Sequence, residues 1–370
     1  MKSIGRKIGH IMWFVLCIGL IFLVILVGMM LVLSPGRLEP FVDDSGILIP
    51  GSISDKVFVT INGVNQGMFI QSKDSSQPVL LYLHGGMPDF FLTKKYPTGL
   101  ENVFTIVWWE QRCSGMSYST ETSCDTITAE QLIADTHEVT NYLRQRFGKD
   151  KIYIMGHSGG TFIAIQAAAL APELYYAYLG MEQMTYQLQS EILAYEYMLQ
   201  QFKANDDGRL VKKLEAFPVT LTGGTPDGYL RIRDLAMHSL GIGTTHNMQS
   251  VIREIFLPSL AVREYTLSEK INFWRAKSQS GASVIWDEML STDLSLAVTE
   301  FKIPVYFFHG IYDYTCSYPL AKAFFEQLKA PVKGFYTFDN SAHSPMFEEP
   351  EKLLQIIETD ILEGTNNLSD

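Results

Sequence analysis

Positive charge and cysteine are both scarce in this sequence. Its 370 residues include 29 Lys and Arg against 40 Asp and Glu, for a formal net charge of −11, and only 4 cysteines. Nucleic-acid binding needs clustered Lys and Arg to contact phosphates, and no basic stripe is visible. No C-x-x-C pair occurs and the histidines are scattered, so we expect no structural metal and no cofactor.

Charged residues are also missing from a long stretch near the N-terminus. None occurs from Ile11 to Leu33, and a helix needs about 20 apolar residues to cross a hydrocarbon core about 30 Å thick. Three basic residues precede this stretch: Lys2, Arg6 and Lys7. Because basic residues mark the cytoplasmic side, we predict a cytoplasmic segment over 1–10, a transmembrane helix over 11–33 and an extracytoplasmic remainder, anchored in the cell membrane by one span. The alternative is a cleaved signal peptide, whose apolar region usually has only about 7–15 residues.

The sequence does not decide whether two of the four cysteines form a disulfide. Cys17 lies in the apolar stretch, while Cys113 and Cys124 are separated by a short segment of chain. In an extracytoplasmic domain these two residues would be able to form a disulfide. Spacing alone does not test the geometry of a bridge, so a disulfide and two free thiols remain equal alternatives.

The rest of the sequence alternates apolar runs with helical patterns. Pro78–Gly86 and Asn102–Glu110 contain continuous apolar runs, as buried parallel strands do. Thr128–Gly148 has the capping residues and spacing of a helix, and the turn formers of Asn62–Gly67 predict a hairpin. This alternation predicts an α/β fold with a mostly parallel sheet. We expect a linker over 34–54, a core over 55–183 and 299–370, and a helical cap over 184–298 inserted between two strands.

Three residues with complementary chemistry follow predicted strands. Ser158 stands in the pattern G-H-S-G-G over 156–160, between a strand and a helix, which is typical of a nucleophile elbow. Asp313 and His343 each follow a later predicted strand. A serine hydroxyl needs a base to take its proton, and the base needs a carboxylate to fix its tautomer. We therefore expect Ser158, His343 and Asp313 to form a catalytic triad, with Asp339 as the alternative acid.

Two glycine-containing turns are predicted to stabilise developing negative charge. His84-Gly85-Gly86 ends a predicted strand, so its loop can supply one backbone N–H, and Gly159 can supply another. We assign the oxyanion hole to Gly86 and Gly159. His84 itself is expected to hold the loop, and the segment Glu110–Arg112 is expected to brace the loop beside it.

Five motifs carry a resemblance to a known family: HGGMP (84–88), WWEQRCSGMS (108–117), GHSGG (156–160), HGIYD (309–313) and AHSPMFEEPEKL (342–353). Over residues 55–365 the chain resembles the α/β-hydrolase superfamily, in which serine, aspartate and histidine follow one another in this order. Within it, the chain is similar to the branch that includes the proline iminopeptidases. That branch usually has H-G-G-P-G and D-Q-R-G-x-G-x-S, so Met87, Glu110 and Cys113 depart from its pattern.

The resemblance implies a serine hydrolase that works through an acyl-enzyme and removes N-terminal residues, such as proline, from short peptides. In that branch, carboxylates in or near the cap hold the substrate's amino group. Glu182, Glu191 and Glu196 are the candidates here, with solvated surface charges as the alternative.

A carboxylesterase or lipase acting on acyl esters would use the same triad. An epoxide hydrolase or dehalogenase is disfavoured because those relatives usually have Asp where Ser158 stands. A binding protein is disfavoured because all three triad positions are filled.

Overall fold

The computed structural model describes residues 2–279 and 283–370, and it begins with one long helix, α1 (Lys2–Val32). The segment Met12–Val32 of this helix has a mean hydropathy of 3.2, and none of it is buried against the rest of the protein. Length and composition fit a membrane span, and they fit a signal sequence near the N-terminus equally well.

Eight strands form one sheet. They are β1 (Ile53–Ile61), β2 (Val64–Ser72), β3 (Val79–Leu83), β4 (Thr105–Trp109), β5 (Ile152–His157), β6 (Tyr175–Met181), β7 (Val305–Gly310) and β8 (Lys333–Phe338), in the order β1-β2-β4-β3-β5-β6-β7-β8. The first two pairings, β1 with β2 and β2 with β4, are antiparallel, and all the others are parallel. The predicted α/β fold with a mostly parallel sheet is confirmed.

The hairpin between β1 and β2 turns more tightly than predicted. Ile61 pairs with Val64, so only Asn62 and Gly63 remain in the turn. Both have positive φ, 44° and 80°, as a two-residue turn of this kind requires, and Asn-Gly is the favoured sequence for it. The turn formers after Gly63 therefore lie in β2 and not in a loop.

Helices cover both faces of the sheet and fill the interval between β6 and β7. After α1 the described residues form α2 (Ala129–Phe147), α3 (Gly159–Leu170), α4 (Gln187–Ala204), α5 (Gly208–Glu215), α6 (Asp227–Ser239), α7 (Leu257–Ala261), α8 (Leu267–Gln279), α9 (Val284–Ser291), α10 (Leu294–Ala297), α11 (Tyr318–Gln327), α12 (Pro345–Glu348) and α13 (Pro350–Ile356). A π-helical segment, Ile252–Phe256, leads directly into α7. As predicted, α2 begins after Thr128, whose side chain accepts a hydrogen bond from the N–H of Gln131, and ends at Gly148 with φ 59°.

Three groups of buried apolar side chains pack the helices against the sheet and against one another. One lies between the sheet and the face covered by α2, α3 and α11, and a second lies on the opposite face with α13 and part of α8. A third lies among α4, α5 and α6, and Tyr312 and Tyr314, which follow β7, pack against it. The helices inserted after β6 therefore lie against the carboxyl end of β7.

The loop after β4 is held by a disulfide and by a buried ion pair. Cys113 and Cys124 are bridged, with their Cα atoms 5.6 Å apart, so the pairing that sequence left open is present. Arg112 donates to both carboxylate oxygens of the fully buried Asp135, at 2.7 and 2.9 Å. Asn62 and Gln66 also donate to this carboxylate, each at 2.9 Å. Arg112 thus braces the loop, as expected, by joining it to α2 and the hairpin.

We predict that Asp135→Asn lowers the free energy of unfolding by about 3–5 kcal/mol, because it leaves the Arg112 charge buried without its partner. The measurement is urea-induced unfolding of the full chain in detergent. The control is Asp55→Asn, because the Asp55 side chain is 47% exposed and pairs with Arg146 at 2.6 Å, and such pairs contribute about 0–1 kcal/mol. Equal losses in the two variants would contradict this role of Asp135.

Candidate active site

Ser158 lies at a sharp turn between β5 and α3. Its backbone has φ 54° and ψ −125°, an unfavourable conformation for a residue with a side chain. The flanking glycines are required by close packing: a Cβ on Gly160 would lie 2.1 Å from the carbonyl oxygen of Leu83, and one on Gly156 would lie 2.6 Å from Cα of Thr161. The G-x-S-x-G pattern therefore has a steric cause, and it holds Ser158 at the carboxyl end of the sheet.

Asp313 and His343 are brought together from the ends of β7 and β8. Nδ1 of His343 lies 2.8 Å from Oδ2 of Asp313. The other oxygen, Oδ1, accepts hydrogen bonds from the N–H groups of Thr315 and Cys316, at 2.7 and 3.1 Å. Burial lowers the pKa of His343 from its ordinary value, although the Asp313 charge opposes this shift. A neutral imidazole held by a carboxylate has the properties of a general base at neutral pH.

The thiol of Cys316 lies beside the Asp313–His343 pair, with its sulfur within 4.8 Å of their ligand atoms. Burial raises the pKa of this thiol, and the side chain of Ser158 opposes that rise. Among the described residues, no hydrogen bond joins Ser158 to His343. Catalytic hydrogen bonds are often long or misaligned without substrate, so the lack of this bond does not exclude His343 as the base for Ser158.

His157, which precedes Ser158, is bonded to the loop that carries His343. Its Nε2 lies 2.7 Å from the backbone carbonyl oxygen of His343, and its Nδ1 lies 3.1 Å from Oδ2 of Asp89. Burial lowers the pKa of His157, but the hydrogen bond and charge of Asp89 outweigh burial and raise it overall. Sequence reasoning missed this pair, because the residue between glycine and serine in G-x-S-x-G was treated as part of the turn only.

The loop after β3 lies against Ser158. A Cβ on Gly85 would lie 2.7 Å from Cβ of Ser158, and one on Gly159 would lie 3.7 Å from Cα of Gly85. The N–H groups in the first turn of a helix lack intrahelical partners, which leaves the Gly159 N–H at the start of α3 available to an oxyanion. Nζ of Lys277, on α8, lies 3.5 Å from the carbonyl oxygen of Gly86.

His84 holds this loop as predicted. Its Nδ1 lies 2.8 Å from the carbonyl oxygen of Gly85, and its Nε2 accepts from the N–H of Gln111 at 3.2 Å. Gln111 returns a hydrogen bond to the His84 carbonyl oxygen at 2.8 Å. Burial lowers the pKa of His84 to about 4, so the ring is neutral and able to accept this bond.

Glu182, one of the predicted substrate residues, lies within 4.8 Å of Asp313 and His309. It directly follows β6, has φ 52° and is fully buried. One oxygen accepts from the N–H of Gly310 at 2.8 Å, and the other lies 2.9 Å from Nε2 of His309. Burial, the charge of Asp313 and a hydrogen bond to Asp313 all raise the pKa of Glu182 well above its usual value. The ligand atoms of Glu182 and Asp313 lie within 4.8 Å of each other, so a protonated Glu182 would be able to donate to an ionised Asp313. The Glu182 side chain is fully buried, so its carboxyl group is closed to substrate.

Glu191 is also buried, but it lies in the cap. Arg233 donates to its two oxygens at 2.7 and 2.8 Å, and Gln187 and Tyr229 each donate at 2.8 Å. All the carboxylate's near neighbours are thus donors of this chain, and substrate has no access to it. Gln187 also donates to the carbonyl oxygen of Thr315 at 2.9 Å, which places this cluster beside the loop that carries Asp313. Glu196, on the same helix, is exposed.

Asp339, the alternative acid, lies at the surface. Its side chain is 73% exposed and lies 4.0 Å from Nζ of Lys352, so it does not approach His343.

Among the described residues, two clusters of side chains have possible metal-ligand atoms within 4.8 Å of one another. They are Asp313, Cys316 and His343, and Glu182, His309 and Asp313. Both belong to the cluster around the Asp313–His343 pair, where these side chains bond one another and the backbone, and we assign no metal to them.

Comparisons with known proteins agree with this geometry. Residues 113–350 match the family described as the alpha/beta hydrolase fold. The probable aminopeptidase YbaC of Bacillus subtilis (strain 168) is 30% identical over 294 residues, which cover 79% of this chain and 91% of that protein.

Solved structures show the same fold in proteins of different activity. The proline iminopeptidase of Mycobacterium smegmatis aligns with a TM-score of 0.61 at 14% identity, covering 84% of this chain and 98% of that one. The 2-hydroxy-6-oxo-6-phenylhexa-2,4-dienoate hydrolase of Rhodococcus sp. strain RHA1 aligns with a TM-score of 0.53 at 16% identity, covering 83% of this chain and 98% of that one. These two likenesses establish the fold alone, whereas the family match and the B. subtilis relative establish membership. The chain belongs to the α/β-hydrolase family.

Proposed function

We propose that this protein is a membrane-anchored serine aminopeptidase that removes N-terminal residues, proline among them, from short peptides. The observation that carries the hydrolase assignment is the 2.8 Å contact between Asp313 and His343 at the sheet edge where Ser158 occupies a strained turn. Ser158 is the nucleophile, His343 the general base and Asp313 the residue that fixes the imidazole tautomer.

The reaction proceeds through an acyl-enzyme. Ser158 Oγ attacks the carbonyl carbon of the N-terminal residue while His343 Nε2 takes the hydroxyl proton. The N–H groups of Gly86 and Gly159 stabilise the oxyanion, and loss of one such donor typically costs about 2.7–4 kcal/mol in the transition state. His343 then donates the proton to the leaving amine. Water, activated by His343, attacks the ester and releases the N-terminal residue.

The aminopeptidase assignment rests on the B. subtilis relative, which is named as a probable aminopeptidase. An aminopeptidase needs a negative group for the substrate's ammonium. Asp234, next to Arg233 on α6, fits this role better than Glu182 or Glu191, because its side chain is 58% exposed. Burial alone would raise the pKa of Asp234, but the charges of Arg233 and Lys277 outweigh burial and lower it, so the group is ionised. Glu196 remains a second candidate.

The anchor rests on the Met12–Val32 segment of α1. In this proposal the segment is retained in the mature protein, residues 1–10 are cytoplasmic and the hydrolase domain is extracytoplasmic. The Cys113–Cys124 disulfide supports that side of the membrane, because disulfides persist in oxidising compartments.

We predict that the full chain cleaves proline arylamide and that Ser158→Ala lowers kcat/KM on the order of 10⁴-fold or more, since the nucleophile is lost. The assay compares the arylamide with short-chain p-nitrophenyl esters. Ser75→Ala, at an exposed serine far along the chain from the turn, is the control and should match the wild type. Turnover of esters alone would favour a carboxylesterase, and full activity of Ser158→Ala would refute the serine mechanism.

We predict that Glu182→Gln leaves the acid limb of the pH profile of kcat/KM unchanged. Activity falls as His343 becomes protonated, and because the pKa of His343 is lowered, the midpoint lies below its ordinary value of about 6.5. Glutamine preserves a neutral donor to Asp313. Were Glu182 ionised in the wild type, its replacement would remove a negative charge near His343 and shift the midpoint to lower pH, which would contradict the protonated state.

Glu182→Leu is the matched variant, since it removes the donor while keeping a side chain of similar size. We expect kcat to fall about tenfold or more, because a hydrogen bond to an ionised group is lost. A Glu182→Leu enzyme as active as Glu182→Gln would assign Glu182 a packing role only.

We predict that the full-length chain stays in the membrane fraction after carbonate extraction and that its mass includes α1. Protease added to intact cells should digest the hydrolase domain, because the proposed topology exposes it. Release of a shorter soluble form would identify α1 as a signal sequence, and complete protection from protease would reverse the orientation.

A further inference from the structure

The carboxyl end of α1 is fastened to the cap by hydrogen bonds. Nζ of Lys270, a buried residue of α8, donates to the carbonyl oxygen of Leu33 and to Oγ of Ser34, each at 2.9 Å. The same ammonium donates to the carbonyl oxygen of Leu260 at 2.7 Å, at the end of α7. The N–H of Gly36 donates to the carbonyl oxygen of Arg263 at 3.0 Å. One lysine thus joins the end of the apolar helix to two cap helices.

This attachment determines which part of the domain is nearest the bilayer. If α1 crosses the membrane, its apolar segment ends at Val32, so Leu33 and Ser34 lie at the membrane surface. Lys270, and the Leu260 carbonyl oxygen to which it also donates, then lie at the membrane surface as well. The π-helical segment with α7, and the first half of α8, are therefore the parts of the cap that adjoin the bilayer.

The cap residues at this level expose large apolar side chains on one face of each helix. These are Ile252 (66% exposed), Phe256 (37%), Leu257 (51%) and Ile271 (47%). Ile252 and Phe256 are four residues apart, so they share a helix face, while Ile255 and Ser259 point inward and are buried. The two helices are neighbours, because the rings of Phe256 and Trp274 lie 4.9 Å apart and Trp274 donates to Ser259 at 3.0 Å.

Four exposed arginines lie on these helices or in the segments next to them along the chain. Arg37, Arg253, Arg263 and Arg275 are all exposed, and the structure pairs none of them with a carboxylate within residues 2–279 and 283–370. Arg253 adjoins Ile252 in sequence, and Arg275 lies four residues after Ile271 on the same exposed face of α8. The neighbouring carboxylates bond to other groups: Glu254 accepts from the N–H groups of Gln249 and Ser250, Glu264 pairs with Lys94 and Glu269 pairs with Lys56. Apolar side chains bordered by arginine are the composition of a surface that lies on an anionic bilayer.

We propose that the surface formed by Ile252, Phe256, Leu257 and Ile271, together with the four exposed arginines of these segments, rests on the headgroups of an anionic membrane. We call it the cap-base surface. The proposal goes beyond the anchor and rests on it: α1 holds the chain in the bilayer, and the cap-base surface holds the domain in one orientation against it. Apolar side chains enter the boundary of headgroups and acyl chains, and the arginines contact lipid phosphates.

The test uses the full chain, reconstituted in nanodiscs, with one environment-sensitive fluorophore. The label is attached to Leu257→Cys in a Cys17→Ser background, since Cys316 is buried and the other two cysteines are bridged. Leu170→Cys is the matched control, because Leu170 is another exposed leucine (69%), on the last turn of α3. Nanodiscs contain phosphatidylcholine alone or with phosphatidylglycerol, and brominated lipid serves as the quencher.

We expect the label at 257 to be quenched several-fold more strongly than the label at 170, with emission shifted to shorter wavelength. Phosphatidylglycerol should increase quenching at 257, and Arg253→Ala with Arg275→Ala should abolish that increase. Hydrolase activity of each labelled sample reports that the domain is folded.

Equal quenching at 257 and 170 would overturn the proposal while leaving the anchor and the enzyme intact. A label at 257 that is shielded from water but not quenched by lipid would also overturn it, and would assign the surface to a second copy or another protein. Failure of the full chain to co-elute with nanodiscs would refute the anchor and the cap-base surface together, whereas the hydrolase assignment would stand on its own activity.

Discussion

The ionised carboxylate of Asp313, buried at the end of β7, is the constraint on which the site depends. A buried charge is tolerated only when donors surround it. Here the donors are two backbone N–H groups after β7 and the imidazole of His343 from the loop after β8. Burial would raise the pKa of Asp313, but its electrostatic interaction and hydrogen bond with His343 keep it well below its usual range. Glu182, which follows β6, lies within 4.8 Å of the same carboxylate, so three strand ends meet at Asp313.

This arrangement explains why the nucleophile turn is strained yet rigid. Ser158 is held from one side by its N–H bond to the carbonyl oxygen of Met181, at 3.0 Å, and from the other by the close approach of Gly85. His157, its neighbour, is bonded to the backbone of His343. The strained φ is thus maintained by contacts with the end of β6 and the loop after β3, and His157 joins this turn to the loop that carries His343.

Much of the fold, and the positions of Ser158, Asp313 and His343 after their strands, were predictable from sequence, because local rules govern them. Continuous apolar runs marked the strands, Thr128 and Gly148 marked the ends of α2, and the glycines around Ser158 marked a tight turn. The contacts that each side chain makes in the folded protein were not predictable in this way. From sequence, Glu182 and Glu191 were predicted to bind the substrate's amino group. The sequence does not show that Glu182 is enclosed by Asp313 and His309, or that Glu191 pairs with Arg233. Such pairings join residues distant along the chain, as do His157 with His343 and Lys270 with the end of α1.

The central claim is that Ser158 is activated by the His343–Asp313 pair, and covalent labelling tests it most directly. The full chain is treated with a fluorophosphonate, and peptide mass spectrometry locates the adduct and follows its rate. The account predicts a single adduct on Ser158, formed on the order of 10²-fold or more slowly in Asp313→Asn, where the imidazole tautomer is no longer fixed. An adduct on another residue, or an unchanged rate in Asp313→Asn, would contradict it.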